Sequence, residues 1–84
     1  TKKKEEFIED LEIIEKVLNG NRDLFAEIVH KYQQKVRGYC INIFNNRTIA
    51  DDAAQEIFIK TYQSLKKFKG NSSFSTWLYR ITVN

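Results

Sequence analysis

Phe25-Ala26-Glu27-Ile28-Val29-His30-Lys31-Tyr32-Gln33-Gln34-Lys35-Val36-Arg37-Gly38-Tyr39-Cys40-Ile41-Asn42-Ile43 is the stretch on which the fold turns. Phe25, Ile28, Val29, Tyr32, Val36, Tyr39, Cys40 and Ile43 recur at steps of three and four, the spacing of one face of an α-helix. The pattern predicts a helix over about residues 22–45, with Asn21 as its N-cap and Asn45-Asn46 as its stop. A rod of roughly 36 Å with one apolar stripe along its whole length must lie at the centre of a helical bundle.

Three further helices follow from the same reasoning. Phe7, Leu11, Ile14 and Leu18 make a stripe over about 5–18 that ends at Asn19-Gly20, a favourable left-handed terminus, with Lys and Glu on the solvated side. From Thr48 to about Lys67, Ala50, Ala54, Ile57, Phe58, Thr61 and Leu65 gather on one side at about 100° per residue. Thr48, with Asp51 three positions on, reads as a capping-box-like start. Ser72 or Ser73 can cap a last helix whose buried side is Phe74, Leu78 and Ile81. The chain has 84 residues, no proline and three glycines, so helices run without breakers and an all-β reading lacks its turn residues. The expected fold is all-α, a compact bundle of about four helices in a single domain over residues 1–84.

The net charge of +3 conceals an uneven distribution. Residues 1–20 carry four Lys against six acids (−2), 21–47 five basic against two acidic (+3), 48–65 one Lys against three acids (−2), and 66–84 four cations with no acid (+4). The last segment is where a polyanion would bind. A lone Cys40 excludes an internal disulfide, and no apolar run resembles a signal peptide or a membrane span, so a soluble protein of a reducing compartment is expected. Cys40 lies on the apolar stripe, as a buried thiol does.

Enzymatic chemistry finds little to stand on. A single histidine, His30, supports neither a histidine metal site nor a choice of triad partners, and there is no Gly-rich phosphate loop. Asp51 and Asp52 are adjacent on a helix and point about 100° apart, so they cannot both face one substrate. Neither a cofactor nor a metal is expected.

Two surfaces remain. Ile59 falls opposite the core stripe of its helix, among Asp52, Gln55, Glu56 and Tyr62. A β-branched residue facing water amid hydrogen-bonding groups suggests a contact surface, although single exposed apolar residues are also common. The second surface is 66–84, where Lys66, Lys67, Lys69 and Arg80 accompany Phe68, Phe74, Trp77 and Tyr79 and the small donors Asn71, Ser72, Ser73, Ser75 and Thr76. Cations track phosphates, aromatic faces stack on unpaired bases, and a loop between helices can hold an extruded base by its edge. Trp77, Arg80 and Asn84 share one line at i, i+3 and i+7, with Thr76, Tyr79 and Val83 beside it. Single-stranded nucleic acid suits this set better than a duplex, whose major groove calls for a row of Arg, Lys, Asn and Gln. Phe74 also reads as core and Trp77 as half core.

The run Phe68-Lys69-Gly70-Asn71-Ser72-Ser73-Phe74-Ser75-Thr76-Trp77-Leu78-Tyr79-Arg80-Ile81-Thr82-Val83-Asn84 closely resembles the promoter-opening segment of bacterial sigma factors of the extracytoplasmic-function group. Ala50-Asp51-Asp52-Ala53-Ala54-Gln55-Glu56-Ile57-Phe58-Ile59-Lys60-Thr61-Tyr62 is similar to the polymerase-binding helix of the same family, and Phe25 through Val36 to its first long helix. The resemblance covers the chain from about Leu11 onward.

It implies the conserved second domain of such a factor, region 2, which is not an enzyme and works in the bacterial cytoplasm, at the nucleoid when in holoenzyme. Docking on the clamp coiled coil of the largest polymerase subunit carries over to Asp51, Asp52, Gln55, Glu56, Ile59 and Tyr62. Binding the non-template strand of the promoter minus-ten element with a flipped base carries over to Lys67, Phe68, Lys69, Gly70, Asn71 and Ser72 in the loop, and to Trp77, Tyr79, Arg80 and Asn84 on the helix. Lys66 joins the loop set by its charge. An anti-sigma partner is also implied. Relative to the family the last helix is cut short at Asn84, and the helix-turn-helix domain that reads the minus-thirty-five element is absent. A helical protein-interaction module without DNA binding is the rival reading, and a small helical hydrolase a weaker one.

Overall fold

The structure, a computed structural model, describes the backbone from Lys2 to Asn84 and the side chains from Lys4. Four α-helices follow one another: α1 (Lys2–Leu18), α2 (Phe25–Phe44), α3 (Arg47–Gln63) and α4 (Phe74–Val83). Single 3₁₀ turns at Arg22–Leu24 and Leu65–Lys67 lead into α2 and out of α3, and no strand occurs among the described residues. The expected all-α bundle is the fold observed.

The helix ends have local causes. α1 stops in a Schellman turn, where Asn21 N donates to Lys16 O, Gly20 N donates to Val17 O, and Gly20 takes φ +116°. α2 ends on Asn45 at φ 52°, whose N–H reaches Ile41 O. Three caps differ from expectation or refine it. The side chain of Asn21 makes no cap bond, because the chain enters α2 through the 3₁₀ turn, with Leu24 N donating to Asn21 O instead. Asn46, not Thr48, caps α3 by accepting from Ile49 N at 3.0 Å, which leaves Asp51 more than a turn inside the helix. Ser73 caps α4, accepting from Thr76 N at 3.1 Å.

The core is the stripe of α2 closed on three sides. Ile28, Tyr32, Val36 and Cys40 are buried, and Ala50, Ile57, Phe58, Thr61 and Leu65 meet them from α3 and its exit turn, as the phase of that helix predicts. Phe74 and Leu78 close the bundle from α4. Burial raises the pKa of the Cys40 thiol, so it is held as an apolar filler. Two stripe positions fail. Leu18 is 44% exposed and Val17 is buried in its stead, because α1 turns Asp10, Ile14 and Val17 toward α2. Ile43 is exposed, since the last turn of α2 runs past its neighbours and Asn42 through Ile49 all face water.

Asp10 is the unforeseen member of that stripe, only 2% exposed. Lys31 Nζ donates to its Oδ1 at 2.8 Å and the Tyr32 hydroxyl to its Oδ2, so a buried carboxylate is satisfied from two adjacent residues of α2. The arrangement clamps α1 to α2 through the same face that buries Ile14 and Val17. Burial first, then the Asp10 hydrogen bond and charge, push the Tyr32 pKa well above its ordinary 10.0.

Asp10→Ala should therefore cost about 1–3 kcal/mol in urea unfolding, since it leaves the buried Tyr32 hydroxyl without its acceptor, whereas Tyr32→Phe should cost about 1–2 kcal/mol. The folded tyrosine holds its proton more tightly than the unfolded one, so this stability is complete below pH 10 and is lost as pH rises above it. Unfolding midpoints measured from pH 8 to 12 should fall steeply for the parent chain and less steeply for Tyr32→Phe; parallel curves would show that Tyr32 does not carry the alkaline transition.

Candidate nucleic-acid interface

Phe68 and Phe74 bracket the loop that carries the expected strand contacts, and both are core residues. Phe68 is 7% exposed; its ring meets Phe74 edge to face at 5.6 Å and lies 5.2 Å from Trp77, and Phe74 also packs on Tyr32 of α2 at 5.7 Å. Phe68, expected among the strand contacts of the loop, is buried, and its ring closes the base of the loop. Trp77, 5.8 Å from Phe74, is half-buried, with its remaining surface at the edge of this cluster.

With its ends clasped, the loop turns its polar groups outward. Lys66, Lys67, Lys69 and Asn71 are exposed, Ser72 is half-buried, and Arg80 and Asn84 are exposed on α4. Gly70 sits at φ +77° with Leu11 of α1 3.7 Å from where a Cβ would stand, so a residue with a side chain would be strained there. No described ion pair engages any of the four cations. Beside the loop a cleft of about 280 Å³ runs between α1, α2 and the start of α4. Its polar lining comes from Glu6, Asp10, Tyr32, Lys35, Ser73, Ser75 and Thr76, and not from Lys67–Ser72.

Tyr79 does not join the line of Trp77, Arg80 and Asn84. It packs edge-on against Tyr39 of α2 at 4.9 Å and, with Val83, lines a separate small groove that includes Asn42 and Ile43. At about 100° per residue it stands about 200° from Trp77, which is why one helix serves two flanks.

On α3, Asp51, Asp52, Gln55, Glu56 and Ile59 are all exposed, Ile59 at 50%. Tyr62, 39% exposed, leans on Phe25 edge to face at 5.1 Å. Asp51 is already engaged, accepting from Arg37 Nε of α2 at 2.5 Å across an exposed surface. No pattern in the sequence marks Arg37 as its partner, since the pair lies 14 positions apart on different helices. His30 is exposed, and among the described residues no group of three or more His, Cys, Asp or Glu side chains could hold a metal. No described helix is long and apolar enough to cross a membrane.

Comparison with known proteins bears on both surfaces. Residues 28–84 match the family described as Sigma-70 region 2, which takes in α2 from Ile28 onward, α3, the loop and α4. The chain is 42% identical over 76 residues to the RNA polymerase sigma-H factor of Pseudomonas aeruginosa, covering 90% of this chain and 39% of that one. It is 44% identical over 71 residues to the ECF RNA polymerase sigma factor SigW of Bacillus subtilis, covering 84% and 38%, and 42% identical over 79 residues to the ECF RNA polymerase sigma-E factor of Haemophilus influenzae, covering 94% and 41%. The chain thus spans about two fifths of the length of these curated relatives. With residues 28–84 matched and identities of 42–44% to such factors, the chain belongs to the Sigma-70 region 2 family and is a region 2 of the extracytoplasmic-function sigma factors.

Proposed function

We propose that this domain serves transcription initiation by docking on core RNA polymerase through the outer face of α3 and by capturing the melted non-template strand of the promoter minus-ten element on the loop and α4. The supporting observation is the cationic loop clasped by Phe68 and Phe74, which turns Lys67, Lys69 and Asn71 outward beside a polar cleft at the start of α4. Phosphates follow the lysines and Arg80. An extruded base enters the cleft, where Ser75 and Thr76 offer hydroxyls to its edge and the free surface of Trp77 stacks on a neighbouring base. Binding energy gained on the unstacked strand offsets the cost of opening the duplex, a few kcal/mol per extruded base. No bond is made or broken; the domain shifts an equilibrium, in the cytoplasm of a bacterial cell. An inhibitory anti-sigma protein would act by covering these faces.

On α3, Ile59 is the apolar centre of the docking face, and Asp52, Gln55, Glu56 and Tyr62 its polar surround, the arrangement of an interface anchor. Asp51 contributes through its pairing with Arg37.

Fluorescence anisotropy with a labelled single-stranded minus-ten oligonucleotide should report binding whose log-log salt slope is about −2 for phosphate contacts by Lys67, Lys69 and Arg80, and about −3 with Lys66 added, at about 0.7 per contact. No binding at low salt would leave the protein-interaction module as the better reading. Ile59→Asp should lower capture of core polymerase by about tenfold or more, the worth of one buried isoleucine, with circular dichroism and oligonucleotide binding unchanged.

A further inference from the structure

The outer face of α3 does not end at Tyr62. Tyr62 and Lys66 form one wall of a groove of about 450 Å³ whose other wall is the end of α1 and the turn that follows it. The floor is aliphatic, Val17 and Leu65 being 4% and 1% exposed, while Leu18 stands on the rim largely uncovered. Arg22 and Lys66 flank the opening, the lining contains no carboxylate, and no described ion pair engages either cation.

We infer that this groove is a second docking point for the partner that meets α3, and that it takes an apolar side chain flanked by carboxylates. The inference rests on the docking reading of α3 given above. Continuity supports it, because Tyr62 belongs both to the row of Gln55 and Ile59 and to the wall of the groove, so a partner lying along α3 reaches it without a break. Charge supports it as well: two unpaired cations beside an apolar slot favour an anchor with acidic neighbours and oppose a basic one. A nucleobase fits less well, since the slot is floored by aliphatic groups and the Tyr62 ring is already engaged by Phe25 at 5.1 Å. Leu18, an apparent misfit of the α1 stripe, thereby gains a role: it is exposed until a partner covers it.

The test titrates the labelled 84-residue chain with purified core RNA polymerase, comparing the parent with Leu18→Asp, Leu18→Ser, Arg22→Glu and Ile59→Asp. Leu18 and Arg22 are exposed, so circular dichroism should be unchanged, and Leu18→Ser serves if the aspartate perturbs the helix end. Leu18→Asp and Arg22→Glu are each expected to weaken binding about tenfold, with the effect of Arg22→Glu shrinking at high salt, while affinity for the single strand stays at the parental value. If only Ile59→Asp weakens binding, the groove is no part of the interface and the inference fails while the docking of α3 stands. If Ile59→Asp is also silent, the docking reading falls and takes the inference with it. Loss of strand affinity in Arg22→Glu would assign the cations to nucleic acid, and self-association of the parent chain abolished by Leu18→Asp would assign the groove to a second copy; either overturns the inference.

Discussion

The edge-to-face contact of Phe68 with Phe74 holds both ends of the loop between α3 and α4, and the rest of the surface proposed for the strand depends on it. Phe74 is simultaneously the first residue of α4 and, through Tyr32, a core residue of α2. A loop whose two ends are pinned to the same aromatic cluster has little freedom to collapse, so its lysines are kept in water and its short side chains at the mouth of a cleft. Trp77 inherits its half-exposed position from the same packing. Aromatic pairs of this kind contribute about 0.5–1.5 kcal/mol each beyond the area they bury, which offsets part of the cost of ordering the loop before any ligand arrives. Preorganisation of that kind lowers the entropy lost when a flexible single strand is bound.

The core also decides how the two candidate faces are related. α3 turns Ala50, Ile57, Phe58 and Thr61 inward, and this alone directs Ile59 and Gln55 outward. α1, held by Asp10 to Lys31 and Tyr32, supplies the far wall of both the cleft beside the loop and the groove beside Tyr62. Lys66 lies between the two candidate surfaces, lining the groove beside Tyr62 and preceding the loop in the chain. Along the chain the partner face is joined to the loop by a short 3₁₀ turn, to which the buried Leu65 gives a rigid footing.

Much of this was legible from residues alone. The inward side of α3 and the outward Ile59 followed from a 100° rotation per residue, and the start of α4 from a serine before an apolar run. What escaped was tertiary. Asp10 reads as one more acid on a charged helix, and only its juxtaposition with Tyr32 makes burial tolerable. Leu18 continues a stripe by spacing, yet the face of α1 that carries Asp10 and Ile14 buries Val17 in its place. Phe68 sits in a polar, glycine-containing segment that reads as a loop, and nothing local announces that its ring folds back onto Phe74. Tyr79 shares a helix with Trp77 but faces Tyr39, a partner 40 positions earlier in the chain. The resemblance to sigma factors located the candidate site more sharply than periodicity did, because its motifs name loop residues that carry no periodic signal.

The central claim is that one clasped loop, with the adjoining flank of α4, receives the strand while the outer face of α3 stays free for a protein. Backbone amide chemical-shift mapping by NMR during titration with a single-stranded minus-ten oligonucleotide tests it most directly. The account predicts shifts at residues 67–77, Arg80 and Asn84 and at the cleft walls around Asp10 and Lys35, with Asp52, Gln55, Glu56 and Ile59 unmoved. Shifts centred on α3, or on the flank of Tyr39 and Tyr79 with the loop silent, would contradict it.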